Sequence, residues 1–409
     1  MIALAIFVFI LFLYSLLSER IERTVLTAPL VFTLAGMLMF PFKPEFIGLG
    51  VNSQVFLRLA ELGLVLLLFT DASRTDLKVL RNLKSVPARL LSVGLILTVL
   101  LGAVAAKLIF PYLSLWEAGI LAAILAPTDA GLGQVIVQSP RVPIRIREAI
   151  NVEAGLNDGI SVPFLLFFMS IAGAKIEGGM ESLIQFILEQ LGVGVLIGVA
   201  IGFLGGSLLA LAHRRQWMSK SFQQIALVAL PLLCLLVSER LDASMFIASF
   251  VAGLAVQTQF KEAGKHSIEF AEEWGQLFNL SVFFLFGLIV VGTWPQFGRW
   301  AWFYAILSLT VVRMVPVAGA LLGTHLSAAS VIFIGWFGPR GLASIVLGLV
   351  YLEQELLLPG EPTIKVAVIV TVFLSIFLHG LSAMSGIDLY SRKIASLPPT
   401  APEHQGVQS

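Results

Sequence analysis

One cysteine in 409 residues, Cys234, leaves no disulfide to form. It lies in an apolar run and is expected to act as a small hydrophobe. The five histidines, His213, His266, His325, His379 and His404, have no metal-ligand spacing, so no protein-held metal or other cofactor is expected. No Gly-x-Ser-x-Gly or comparable nucleophile motif occurs, and the chain is not expected to be an enzyme. Charge is scarce too. Asp, Glu, Lys and Arg make up 12% of the residues, where a soluble domain carries about a quarter. The net charge of +1 and the lack of a basic run interleaved with aromatics exclude nucleic acid as a partner. Apolar residues fill the space instead: 58% of the chain is hydrophobic and the mean hydropathy is +0.94. This is an integral membrane protein, expected to be all-α and polytopic.

A helix needs about 20 apolar residues to cross the hydrocarbon core. The chain divides into thirteen such stretches, at 2–17, 24–41, 53–72, 88–110, 113–137, 146–173, 184–212, 221–239, 243–259, 275–294, 297–322, 326–352 and 363–388. The first ends at Ser18-Glu19-Arg20 without a small-residue cleavage pattern or a preceding basic region, and reads as a retained span. An odd number of spans puts the termini on opposite sides. Seventeen of the 26 lysines and arginines fall on one side: Arg20 and Arg23, those from Arg74 to Arg89, Arg141 to Arg147, Arg214 to Lys220, Lys261 and Lys265, and Arg392 with Lys393. Seven fall on the other, and Arg313 and Arg340 lie inside spans. The N-terminus is therefore expected outside and the C-terminus in the cytoplasm, with 389–409 a short cytoplasmic tail.

Four polar clusters interrupt the apolar runs. At 1.5 Å per residue, Thr128-Asp129 lies roughly 22 Å into the fifth span and Asn157-Asp158 roughly 17 Å into the sixth. Arg313 lies roughly 24 Å into the eleventh and Gly338-Pro339-Arg340-Gly341 roughly 18 Å into the twelfth, so all four reach mid-membrane. Helix breakers accompany two of them, Pro127 with Gly131 and Gly133, and Gly338, Pro339 and Gly341. Broken helices at this depth are tolerated where they line a cavity or are buried in protein. Each is the middle member of a three-span group, 88–173 and 297–388, and the two groups enter from opposite faces. Inverted repeats with two interrupted, crossing helices describe a secondary-transporter core.

Ionisable residues within a membrane are costly and mark function. A carboxylate among apolar helices loses hydration, which favours its neutral form, so Asp158 suits a site that holds either a proton or a cation. Competition for one negative group, combined with alternating exposure, exchanges the two without a nucleotide. Oxygen ligands suit a hard monovalent cation such as sodium, and Asp158, the Thr128 hydroxyl and carbonyls of an unwound fifth span are at hand. Asp129 and Arg340 sit where half-helix ends expose partial charges, and are expected to compensate them. Glu153 shares a face with Asn157, while Asp158 is rotated by about 100°. A buried glutamate wants a buried arginine, Arg313 first and Arg340 as the alternative. Asp71 either lines a cytoplasmic entrance funnel or is a solvated charge, and Glu61 has no evident partner.

The segment Glu153-Ala-Gly-Leu-Asn157-Asp158-Gly159 resembles the Glu-Ser-x-x-Asn-Asp-Gly segment of the electroneutral Na+/H+ exchangers, the first family of monovalent cation:proton antiporters. Pro127-Thr128-Asp129-Ala130 is similar to their Thr-Asp-Pro unwound segment, and Gly338-Pro339-Arg340-Gly341 to their Gly-x-Arg-Gly. Leu68-Phe69-Thr70-Asp71 with Asp76, Phe283 to Leu288 and His379-Gly380 also match, so the likeness runs through about residue 388. It implies Asp158 as ion and proton carrier, Thr128 as a ligand, Asn157 as its positioned neighbour, and Glu153–Arg313 as a structural ion pair. Asp129 joins the ion-binding set, with Pro127, Gly338, Pro339 and Arg340 forming the helix breaks. It further implies one-for-one exchange of Na+, or of Li+ or K+, for H+ in the cell (inner) membrane, and a role in pH homeostasis. Homodimers are implied as well, with 1–87 and 174–296 as scaffold around the core repeats. Ala154 and Ala130 depart from the pattern, where the family has serine and proline. Carboxylates at the site disfavour an organic-anion symporter, and no filter signature supports a channel.

Overall fold

The structure, a computed structural model, describes residues 2–22, 24, 26–39, 53–74, 86–177, 188–260, 265–398 and 400–404. Asp76 and the basic residues Arg23, Lys43, Lys78, Arg81, Lys84 and Lys261 lie outside these. Every regular element among the described residues is helical. The first three stretches hold α1 (Ile2–Glu22), α2 (Ala28–Leu38) and α3 (Ser53–Arg74). Next come α4 (Val86–Ile109), α5 (Leu115–Ile124), α6 (Ala130–Gln138) and α7 (Ile144–Glu177). Then follow α8 (Gly194–Arg214), α9 (Lys220–Arg240), α10 (Met245–Gln259) and α11 (Lys265–Thr293). The last are α12 (Arg299–Leu309), α13 (Val311–Ala320), α14 (Ala328–Trp336), α15 (Leu342–Glu353) and α16 (Glu361–Ala395). Seven helical stretches among the described residues are long and apolar enough to cross a membrane: α4, α7, α8, α9, α11, the α12–α13 pair and α16.

Local chemistry sets several starts. Ser219, Ser244 and Ser327 precede α9, α10 and α14, and each accepts the backbone N–H three residues on. At α5 a full capping box forms, with Glu117 N–H donating to Ser114 Oγ at 3.2 Å and Ser114 N–H to Glu117 Oε2 at 2.7 Å. The other oxygen of Glu117 accepts the N–H of Gly360 at 2.6 Å, tying the start of α5 to that of α16.

Helices α2, α3 and α8 to α11 pack chiefly on one another, and α4 to α7 with α12 to α16 form a second packing group. Where α2 meets α11, backbone touches backbone: a Cβ on Gly36 would strike the carbonyl of Phe284, and one on Gly287 that of Thr33. Within the second group α7 and α16 are innermost, with 61% and 67% of their apolar windows buried against 28% for α8. Outward-facing leucines such as Leu196, Leu204 and Leu208 on α8, and Leu100 and Leu108 on α4, suit a lipid surroundings.

Three features go beyond the sequence reading. The eleventh stretch is interrupted at Thr310, with φ −108° and ψ −91°, just ahead of Arg313. Wide π turns occur at Leu90–Gly94 and Leu188–Val193. The tail, expected to be a short cytoplasmic extension, folds back: Glu403 is 1% exposed and accepts the N–H of Ser327 at 2.7 Å and the hydroxyl of Ser330 at 2.8 Å. Arg145 at the start of α7 donates to the Pro402 carbonyl at 2.9 Å.

Candidate functional site

Residues 125–129 part α5 from α6, and residues 337–341 part α14 from α15, so two short extended segments meet inside the second packing group. They are joined by backbone, Asp129 N–H donating to the Pro339 carbonyl at 2.8 Å. Four half-helix ends meet there, each with unpaired backbone groups. Asp129 serves two of them: Oδ1 accepts Leu132 N–H of α6 at 2.9 Å, and Oδ2 accepts Leu342 N–H of α15 at 2.6 Å. Negative charge at two helix N-termini is the favourable sign. Arg340, fully buried, donates through Nη1 to the carbonyls of Ala126 and Pro127 beyond the C-terminal end of α5, at 2.5 and 2.9 Å. At the fourth end His379 Nε2 lies 2.9 Å from the Trp336 carbonyl.

Both glycines beside Arg340 follow from this crowding. A Cβ on Gly341 would collide with the Asp129 carboxylate, and one on Gly338 would lie 2.7 Å from the Arg313 guanidinium carbon. Ser375 of α16 accepts the N–H of Arg340 at 2.6 Å and fixes the segment from behind.

Helix α7 brings the carboxylates. Glu153 and Arg313 form a two-pronged ion pair, Nη1 to Oε1 at 2.6 Å and Nη2 to Oε2 at 2.8 Å, with both side chains 4% exposed. Arg340 is not part of it. One turn on, Asn157 donates Nδ2 to the Thr128 hydroxyl at 2.6 Å and so links α7 to the unwound segment. Asp158 is half-buried, and its Oδ1 is withdrawn from solvent with no hydrogen-bond partner. The charged groups acting on it are Asp129, Asp71 and Arg340. Asp71, near the end of α3, packs on Gly155 of α7, where a glycine Cβ would lie 3.2 Å from its own.

The structure thus brings Thr128, Asp129, Asn157, Asp158, Arg340 and Asp71 around one region, with Glu153–Arg313 a turn away. Asp129, expected from its position to compensate half-helix ends and also grouped with the ion-binding residues, has both oxygens engaged by helix N-termini. Glu61 finds a partner in Arg58 at 3.0 Å, on the rim of a cavity of about 740 Å³ that Glu239 and Glu353 also line. Sequence reading passed over Ser375 and also Asn279 of α11, whose amide approaches Gly131 and whose Oδ1 is buried without a partner. The signal for Asn279 was an amide in an otherwise apolar run.

Residues 6–384 match the family described as sodium/hydrogen exchanger, transmembrane. A K(+)/H(+) antiporter NhaP of Alkalimonas amylolytica is 27% identical over 357 residues, which is 83% of this chain and 59% of that protein. A sodium, potassium, lithium and rubidium/H(+) antiporter of Bacillus subtilis is 25% identical over 291 residues, 70% of this chain and 42% of that one. The chain therefore spans about three fifths or less of the length of these relatives. The solved sodium proton antiporter MjNhaP1 of Methanocaldococcus jannaschii at pH 8 superposes with a TM-score of 0.77 at 17% identity, over 97% of this chain and 99% of that one, and shares its fold.

Proposed function

The chain belongs to the transmembrane sodium/hydrogen exchanger family, and on that premise we propose that it exchanges a monovalent cation for a proton across a cell membrane. Sodium is the leading cargo, with lithium and potassium as alternatives, since the names of its relatives include both sodium and potassium. The observation that carries the reading is Asp158 Oδ1, a buried carboxylate oxygen that no group of the protein satisfies. An oxygen left so at membrane depth is stabilised by a proton or by a cation, but not by both at once.

Exchange follows from that exclusion. A proton bound from one side is displaced by a cation, and the occupied carboxylate is then exposed to the other side. Asp129 and Arg340 neutralise the half-helix ends in both occupancies, which leaves Asp158 as the group whose charge changes. One cation for one proton makes the cycle electroneutral. The two inverted three-span groups would rock as a unit against α2, α3 and α8 to α11, in a homodimer with its N-terminus outside and its C-terminus in the cytoplasm.

The test is cation-evoked proton movement in proteoliposomes. Wild type should move protons on addition of sodium, lithium or potassium, and Asp158→Asn should be silent. Exchange by Asp158→Asn at the wild-type rate would overturn the assignment.

A further inference from the structure

Ser161 lies on α7 three residues after Asp158 and four after Asn157. At 100° per residue it falls between them, about 40° from Asn157 and about 60° from Asp158, and about 5 Å further along the helix. It is fully buried, and its Oγ has no hydrogen-bond partner. A helical serine or threonine at such a position commonly turns its hydroxyl onto the carbonyl one turn back. Ser170 does so onto Leu166 at 2.6 Å, Thr98 onto Gly94 at 2.8 Å and Thr371 onto Ala367 at 2.7 Å. Ser161 does not. Among the described residues four other buried serine hydroxyls without a partner have a different setting: Ser139 follows the C-terminal end of α6, Ser238 and Ser249 belong to α9 and α10, and Ser344 lies in the first turn of α15, where no helical carbonyl precedes it.

Asn157 Oδ1 and Asp158 Oδ1 are buried without partners as well. One turn of α7 therefore presents three oxygens withdrawn from solvent and unsatisfied, beside the Thr128 hydroxyl held by Asn157. Buried polar groups left unsatisfied are costly, and hard oxygens of this kind suit an alkali cation. Ala154, one turn before Asp158, has no oxygen to offer. Resting on the exchange proposed above, we infer that Ser161 is a direct ligand of the transported cation, closing the coordination set on the far side of Asp158 from Ala154.

The test compares Ser161→Ala and Ser161→Thr with wild type and Asp158→Asn in the proteoliposome assay, with sodium and lithium as probes. Loss of one ligand should raise the apparent KM of Ser161→Ala about tenfold with a maximal rate within about twofold of wild type. Ser161→Thr should restore the KM. The purified Ser161→Ala protein should melt normally without cation and lose most of the cation-dependent rise in Tm, which a merely structural serine would not do. A KM within about twofold of wild type, with Asp158→Asn still silent, would overturn the ligand role and leave the exchange reading standing. Failure of the exchange reading would instead show as an active Asp158→Asn. Should Ser161→Ala not fold, Ser161→Cys keeps the shape and replaces a hard oxygen by soft sulfur. A raised KM for that variant supports the ligand role, and an unchanged one overturns it.

Discussion

Glu153 and Arg313, 160 positions apart, meet through two parallel hydrogen bonds of 2.6 and 2.8 Å in a buried contact between α7 and α13. An arginine cannot discharge by losing its proton, so the pair locks one helix of each three-span group to the other. Removing one partner strands the other charge. Glu153→Gln is expected to cost about 3–5 kcal/mol of stability, read as lost folded yield and a lower Tm, with little change in cation KM for the protein that folds. Replacing both partners with apolar residues of similar size should recover much of the loss. Normal stability with lost cation affinity would move Glu153 into the binding site.

Gly341 and Gly133 make a matched pair. A Cβ on Gly341 meets the Asp129 carboxylate, whereas one on Gly133 meets nothing within 4 Å. Gly341→Ala should displace Asp129 from two helix N-termini and reduce the folded fraction sharply. Gly133→Ala, inside α6, should be neutral or stabilising by up to about 1 kcal/mol. Equal behaviour of the two variants in size-exclusion and melting assays would refute the crowding argument.

Arg340 tests charge against geometry. Its Nη1 reaches two carbonyls, those of Ala126 and Pro127. Lysine keeps the charge but loses the planar fork, so Arg340→Lys should retain part of the folded yield and Arg340→Ala very little. If Arg340→Ala were as abundant and as stable as wild type, the half-helix end at Leu125 would need no compensation.

Glu403 offers a pH prediction outside the membrane. Burial alone pushes its carboxyl up, but the Ser327 N–H and the hydroxyls of Ser327 and Ser330 outweigh this and hold it below the ordinary value. A depressed folded-state value means the contact contributes fully above the usual carboxylate value of ~4.3 and fades as pH falls through the folded one. Glu403→Gln should therefore loosen residues 400–404 at pH 7, raising hydrogen exchange there and lowering stability by about 1 kcal/mol. Wild type and variant should converge in strongly acidic buffer. A gap between them that persists there would show that the carboxylate charge is not what docks the tail.

Much of the architecture was legible in the residues themselves. Hydropathy marked where helices run, because the cost of unpaired backbone in lipid is paid residue by residue along the chain. Pro127 and the pair Gly338 and Pro339 marked the two breaks for the same local reason. The interruption at Thr310 was not legible, since Leu-Thr-Val-Val carries no helix breaker. Ser161 was also passed over, because one serine in an apolar run looks like any other until its hydroxyl is seen to lack a partner.

From sequence alone come the membrane setting, the helical content and the presence of acid and base at mid-depth, all of which depend on composition and on counting along one strand of chain. Only the tertiary structure decides which arginine meets Glu153, that Asp129 closes two helix ends at once, and that Asp158 is left with an open oxygen. Those outcomes depend on residues 160 to 213 positions apart, and the angle at which helices cross, not their order, sets which side chains come within 3 Å.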